Sequence, residues 1–195
     1  QMCIRDSYDI KGVADALLKT IRIYDCDYVR TSDSNAFDEA SAFHPGRSAV
    51  ILKDGKAIGI LGEIHPDVAE NYGIEVKVYA AKLNVPEMLK LSEKEVTYKP
   101  MPKFPATTRD LSLICDDNLP AASIEKAIKK AAGKVLEKVT LFDVYKGKQI
   151  EEGKKSISYS ISMRSHDGTL TDEQADSVMK KVLKALKDIG ADLRM

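Results

Sequence analysis

The chain has 195 residues, of which 44% are hydrophobic and 31% are charged. A chain of this length and composition can bury one or two hydrophobic cores, which excludes a disordered tail and a disulfide-stabilised miniprotein. The 30 Lys and Arg residues balance the 30 Asp and Glu residues, so the formal net charge is zero. A neutral chain is not expected to coat nucleic acid nonspecifically over its whole surface.

The charge is distributed unevenly along the chain. Residues 1–101 carry 13 basic and 16 acidic side chains, a balance of −3, whereas residues 102–195 carry 17 and 14, a balance of +3. The second half is therefore the better candidate for contact with a polyanion, although +3 is a weak bias.

The cysteines Cys3, Cys26 and Cys115 are widely spaced, and no CxxC pair or Cys/His cluster accompanies them. The sequence therefore indicates neither a disulfide framework nor a metal site, and it fits a reducing cytoplasm. No apolar run approaches ~18 residues, and the first thirty residues lack a signal-peptide pattern, so we expect no membrane span. Residues 1–7 show neither periodicity nor a cap, and we interpret them as a non-native remnant.

Residues 8–98 carry the patterns of short strands and helices. Apolar residues at spacings of three and four predict a helix over 8–21 that begins near Asp9. Asp54-Gly55, between two β-rich runs, predicts a two-residue hairpin turn. The other predicted elements are strands at 23–29, 48–53, 56–60 and 76–84 and helices at 66–72 and 86–91.

Three prolines mark residues 99–105 as a linker, because proline continues neither a helix nor a central strand. Beyond it the patterns predict strands at 107–115, 135–145, 155–164 and 191–194 and helices at 120–132 and 172–189. Short right-handed connections fold this βαββαβ order into a ferredoxin-like sandwich over 106–195, with four antiparallel strands and both helices on one face.

One predicted strand, at 155–164, alternates four serines with apolar residues. Its apolar side must meet the helices, so the serine side is the open face, the side of the sheet that no predicted helix covers. By the same alternation we expect Asp143, Tyr145, Ser156 and Arg194 on the open face. Such a set can stack on a base, bond its edge and pair with phosphate. From spacing alone, a polar face that is merely solvated is the simpler explanation.

Two further expectations concern this sheet. In the usual strand order Asp143 and Arg194 lie on opposite edges, about three strand spacings or ~14 Å apart, so they would contact different nucleotides. A second hypothesis is a free-standing regulatory or scaffold protein that uses the sheet to dimerise or to bind a metabolite. Val139 and Leu141 would then share the open face as part of an apolar patch, while Phe142 points to the helices.

No residues indicate a catalytic centre. The glycines near the hairpin are spaced for turns and not for a phosphate-binding loop. His44 and Arg47 lie in a predicted turn without an adjacent nucleophile, so we interpret them as packing or subunit-interface residues. We interpret Arg109 and Asp110 as a structural ion pair or turn contact, and His166 as a weak candidate for an RNA phosphate contact. The lysines of the last helix are interpreted as a solvated face first and an RNA contact second.

Five segments in fixed order carry a family resemblance: FHPGRSAVI, GILGEIHPDV, KFPATTRDLSLI, LFDVYKG and GADLRM. Together they closely resemble the C-terminal part of the beta subunit of bacterial phenylalanine-tRNA ligase, over about residues 8–195. The resemblance implies an α+β chain. Residues 8–98 would be the end of an antiparallel class II synthetase-like module, and residues 106–195 would be a ferredoxin-fold anticodon-binding domain.

The resemblance also implies a site and partners. In the family an Asp-x-Tyr pair, a serine and a late arginine read the anticodon of phenylalanine tRNA, and these fall on Asp143, Tyr145, Ser156 and Arg194. The chain would dock on the catalytic alpha subunit in an (αβ)2 heterotetramer that uses ATP and Mg²⁺ to phenylalanylate tRNA in the cytoplasm. No catalytic residue, cofactor, DNA or membrane is expected for this part of the enzyme.

Overall fold

The structure is a computed structural model that describes residues 6–93, 95, 98, 100–147, 149–165 and 167–194. The chain divides into two compact units, Gln1–Tyr98 and Lys99–Met195. Among the described residues no helix is long and apolar enough to cross a membrane. His166, the candidate for a phosphate contact, lies outside the described residues.

The first unit contains an antiparallel sheet of order β1-β2-β3-β4. Helix α1 packs Ala14 and Leu18 against Ile51, Ile58 and Leu61 of the sheet. In chain order the elements are α1 (Ser7–Thr20), β1 (Asp27–Arg30), β2 (Phe43–Lys53), β3 (Lys56–Ile64), α2 (Pro66–Asn71), β4 (Tyr79–Leu83) and α3 (Val85–Leu91), with 3₁₀ turns at Thr31–Asp33 and Asp38–Ala42.

Helix α1 begins at Ser7, one residue before the predicted range, because Asp6 caps it. The Asp6 carboxylate accepts a hydrogen bond from the Tyr8 backbone N–H, and the Asp9 carboxylate accepts one from the Asp6 N–H, each at 2.8 Å. These bonds satisfy N–H groups that the first helical turn leaves without partners. Asp6 and Ser7, which we expected outside the fold, therefore belong to the cap and first turn of α1.

The β2–β3 hairpin confirms the predicted turn. Asp54 and Gly55 both have positive φ, 51° and 77°, as a type I′ turn requires. Strand β2 starts at Phe43, so residues 44–47, predicted as a turn before the strand, form an irregular stretch inside it, and the register shifts between Phe43 and Ser48.

Gly62 on β3 allows the irregular stretch of β2 to approach closely. Its φ is +148°, and a Cβ atom at this position would lie 2.5 Å from Ser48 Cα. Only glycine combines this backbone conformation with this contact. The strands then pair from Ser48 opposite Gly62 to Lys53 opposite Lys56, with a second register shift between Ile51 and Leu52.

We expect Gly62→Ala to destabilise the first unit by about 1–3 kcal/mol, because the Cβ atom adds strain at this φ and collides with β2 backbone. Hydrogen exchange of β2 and β3 peptides in increasing urea measures the change. Gly12→Ala is the control, since a Cβ atom in mid-helix there meets nothing within 4 Å and should stabilise slightly. Equal protection in both variants would contradict this account of the close approach.

The second unit has the predicted βαββαβ order and ferredoxin-like fold. All its strand pairs are antiparallel, in the order β6-β7-β5-β8. Its core joins both helices to one sheet face, with Ile128 and Leu186 in the same buried cluster as Leu113 and Ile161. The elements are β5 (Thr107–Asp116), α4 (Ala121–Ala132), β6 (Leu136–Tyr145), β7 (Lys154–Met163), α5 (Asp172–Lys187) and β8 (Ala191–Leu193).

Helix α5 begins with a capping box, as its sequence indicates. The Thr171 hydroxyl accepts from the Gln174 N–H at 3.3 Å, and the Gln174 side chain accepts from the Thr171 N–H at 3.1 Å. The helix ends at Lys187, two residues before the predicted end, and Ile189 is 37% exposed. The core-facing stripe of α5 therefore stops at Leu186.

Candidate nucleic-acid interface

The alternating side chains of strand β7 show which face of the second unit's sheet is covered by the helices. Ile157 and Tyr159 are buried on the helix side, where the Tyr159 hydroxyl donates to the Ala121 carbonyl at the start of α4 at 3.2 Å. Burial raises the pKa of Tyr159, so this hydroxyl stays protonated as a donor. The alternating residues Ser156 and Ser158 therefore lie on the open face.

The structure brings the four predicted residues to the open face in two adjacent rows. Tyr145 is paired with Ser156, and Asp143 is paired with Ser158. Residues directly opposite each other on neighbouring strands share a face. The Arg194 backbone N–H donates to the Ser112 carbonyl at 2.8 Å, which extends the second row to the opposite edge.

Arg194 reaches the centre of the open face from the edge of the sheet. The strand order confirms that β6 and β8 are opposite edges. The long guanidinium side chain nevertheless crosses β5, and its Nη1 donates to Ser156 Oγ at 3.4 Å. Arg194 therefore contacts Ser156, which is the cross-strand neighbour of Tyr145, so these three residues lie next to one another on the open face.

We expected the Ser156 hydroxyl to be free to form a hydrogen bond with a base, and in the structure it is not free. The residue is only 1% exposed, and its hydroxyl accepts from Arg194. In this structure the serine holds the arginine. Ser112 and Ser158, with their Oγ atoms 2.8 Å apart, lie on the open face between Asp143 and Arg194 and were not singled out by the sequence analysis. The alternation of Ser112 with Leu111 and Leu113 is the sequence signal for this position.

A bulge in β6 decides which residues face the helices. Leu141 is paired with Tyr159 but Asp143 is paired with Ser158, so Phe142 is an extra residue that reverses the alternation. Val139 and Leu141 consequently pack against the buried core, and the expectation that they could share the open face is wrong. Phe142, which we expected to point to the helices, is 56% exposed and is not part of the buried cluster.

Simple alternation would place Leu141 and Asp143 on the same face, whereas the bulge places them on different faces. The two positions should therefore differ in how much an alanine substitution changes stability. Leu141→Ala should destabilise the second unit by about 1–3 kcal/mol through lost packing. Asp143→Ala should change stability by less than ~0.5 kcal/mol. Hydrogen exchange of β5 and β7 peptides reports both values, and comparable losses in the two variants would rule out the bulge.

Two charged residues of the second unit, Lys146 and Arg109, form ion pairs. Lys146, which follows Tyr145, forms an ion pair with Asp117, and this hydrogen bond holds the pKa of the Asp117 carboxyl below its usual range. Arg109 pairs with Asp172 of α5 at 2.6 Å and not with Asp110, which lies opposite Ser160 on the open face. Lys184 and its neighbouring lysines on α5 are exposed on the helix side, away from the open face.

In the first unit, His44 and Arg47 line a cavity of about 580 Å³ together with residues of α2 and the segment that follows it. Arg47 Nη1 donates to both carboxylate oxygens of Glu63, at 3.0 and 3.1 Å, and Glu63 is only 4% exposed. His44 Nδ1 accepts from the Gly46 N–H at 3.1 Å. Arg47 thus neutralises a buried carboxylate, and an interface role for the two residues stays a prediction.

The described residues contain no group of three His, Cys, Asp or Glu side chains arranged to hold a metal ion. The open face instead carries a ring, a carboxylate and a guanidinium, with buried serine hydroxyls beneath them; rings, carboxylates and guanidinium groups are used by proteins on single-stranded RNA.

Comparison with known families assigns both units. Residues 102–194 match the family described as the ferredoxin-fold anticodon binding domain. Residues 5–85 match the phenylalanyl tRNA synthetase beta chain CLM domain. The second unit therefore belongs to a family of ferredoxin-fold anticodon-binding domains, and the first unit matches a domain of the phenylalanyl tRNA synthetase beta chain.

Curated relatives extend the match to nearly the whole chain. The phenylalanine-tRNA ligase beta subunits of Clostridium acetobutylicum and Clostridium tetani are 40% and 43% identical to it over 190 residues, 97% of this chain. That of Bacillus subtilis is 36% identical over 94% of the chain. The chain belongs to the phenylalanine-tRNA ligase beta subunit family, and it spans about 22–23% of the length of these relatives.

Proposed function

We propose that this chain recognises the anticodon of phenylalanine tRNA through the open face of its second unit, as part of a phenylalanine-tRNA ligase. The observation that carries the proposal is that Arg194 bonds to Ser156, the cross-strand neighbour of Tyr145, with Asp143 in the adjacent row. The family of the second unit, an anticodon-binding domain, supports the same assignment.

Each group has a distinct role in the proposed recognition. Tyr145 is 38% exposed and offers a ring on which an unstacked base can stack. Asp143 accepts hydrogen bonds from a base amino or imino group. Arg194, held by Ser156, pairs with a phosphate or stacks on a second base. Because the guanidinium reaches the middle of the face, one or two neighbouring nucleotides can engage the whole group.

The first unit has a different role in the proposal. It would be the end of a class II synthetase-like module that docks on a catalytic alpha subunit, with His44 and Arg47 at or near the contact. The complete (αβ)2 enzyme would use ATP and Mg²⁺ to phenylalanylate tRNA in the cytoplasm. The names of the relatives support this assignment, since each is the beta subunit of a phenylalanine-tRNA ligase.

The second hypothesis, a scaffold that dimerises through the sheet, is not favoured. It needs an apolar patch on the open face. Val139 and Leu141, which the sequence analysis offered for such a patch, pack against the core instead, and the family match of the second unit favours anticodon binding.

Tyr145→Ala should weaken binding of the 195-residue chain to a phenylalanine anticodon stem-loop by about 1–3 kcal/mol, because the variant loses base stacking. Titrations with matched and scrambled loops at two salt concentrations measure affinity and selectivity. Tyr72→Ala is the matched control, since Tyr72 is 80% exposed and lies in the first unit. The site is wrong if Tyr145→Ala and Tyr72→Ala bind the matched loop equally well.

Arg194→Ala should lower the slope of log affinity against log salt concentration by about 1, because one phosphate contact and its released counterion are lost. The control is Lys184→Ala, which removes a positive charge from the exposed side of α5 and should leave the slope unchanged. A slope that falls for Lys184→Ala and not for Arg194→Ala would place the RNA on the helix side of the second unit.

A further inference from the structure

Gly147 lies directly against the ring of Tyr145. An ideal Cβ atom at Gly147 would be 2.5 Å from Tyr145 Cζ and 3.1 Å from Cε1, and the phenolic oxygen is closer still. Atoms at such distances overlap, so only the hydrogen of glycine fits beneath the ring. The ring therefore occupies this position because residue 147 has no side chain.

Gly147 lies in the turn after β6, between a side-chain ion pair and a backbone hydrogen bond. Lys146 forms its ion pair with Asp117, in the turn after β5. The Gly147 carbonyl accepts from the Ile150 N–H at 2.9 Å, which closes the turn between β6 and β7. A side chain at position 147 would consequently displace the distal end of the tyrosine and not the backbone.

We propose that Gly147 is a positioning residue for anticodon recognition, and this inference rests on the proposed function of the open face. The bare Cα lets the Tyr145 ring lie against the end of β6, next to Ser156 in the paired row. The ring is then oriented before RNA arrives, and part of it, 38% of the residue's surface, stays accessible to a base. Preorganisation of this kind strengthens binding because fewer side-chain rotamers are lost in the complex.

The inference assigns Gly147 a role separate from stability. Its φ does not lie in the left-handed region, so alanine is compatible with the backbone there. Since the colliding atoms belong to the end of a side chain that can rotate away, Gly147→Ala should fold as well as the parent chain. The change should appear only in the orientation of Tyr145 and in RNA binding.

The test compares Gly147→Ala with Gly168→Ala, a control in the same unit whose Cβ atom would meet nothing within 4 Å. We expect Gly147→Ala to weaken binding of the matched anticodon stem-loop about 3- to 10-fold. Its affinity for the scrambled loop should change less, and Gly168→Ala should bind like the parent. In a Tyr145→Ala background, adding Gly147→Ala should change affinity less than about twofold, because no ring is left to displace.

A second readout needs no RNA. With fluorotyrosine incorporated, the ¹⁹F resonance assigned through Tyr145→Phe should shift in Gly147→Ala and stay in place in Gly168→Ala. An unshifted resonance, parental affinity in Gly147→Ala, or an equal loss of affinity with and without the Tyr145 ring would each overturn the role of Gly147. Parental affinity in Tyr145→Ala would instead overturn the anticodon site itself, so the two failures are distinguishable.

Discussion

The candidate interface depends on the position of β7 between β5 and β6. Antiparallel pairing on both sides fixes which β7 side chains enter the core, and Tyr159, whose hydroxyl bonds to the first residue of α4, makes the alternative orientation costly. A slip of one residue would turn the serines toward the helices and place Ile157 and Tyr159 on the open face. The open face is therefore mostly polar, because the apolar residues of β7 and most of those of β5 lie in the core on the opposite face.

Two long-range contacts explain why separate sequence segments belong together. Arg47 in FHPGR neutralises the buried Glu63 of GEIHP, which joins two adjacent strands of the first unit. Arg194 in GADLRM bonds to Ser156, which is paired with Tyr145 of LFDVYKG. In both cases an arginine forms a hydrogen bond with a buried polar group. The same bonds therefore contribute to the packing of each unit and to the geometry of its candidate surface.

The sequence predicts the elements of the second unit well because local signals agree there: alternation in β7, the capping box at Thr171 and proline punctuation before the first strand. It predicts the open-face position of the four candidate residues for the same reason. The sequence could not reveal the bulge at Phe142. Apolar and polar residues alternate regularly both before and after the extra residue, so the sequence pattern does not show that the two stretches differ in which residues face the helices. The reach of Arg194 and the contact of Tyr145 with Gly147 depend on rotamers, which residue spacing does not encode.

The central claim is that RNA binds the open face and not the helices. Amide and side-chain chemical-shift mapping of the chain with a phenylalanine anticodon stem-loop tests it most directly. The account predicts the largest perturbations at Asp143, Tyr145, Ser158 and Arg194, with α4 and α5 nearly unchanged. Perturbations concentrated on the exposed lysines of α5, with the open face unaffected, would contradict it.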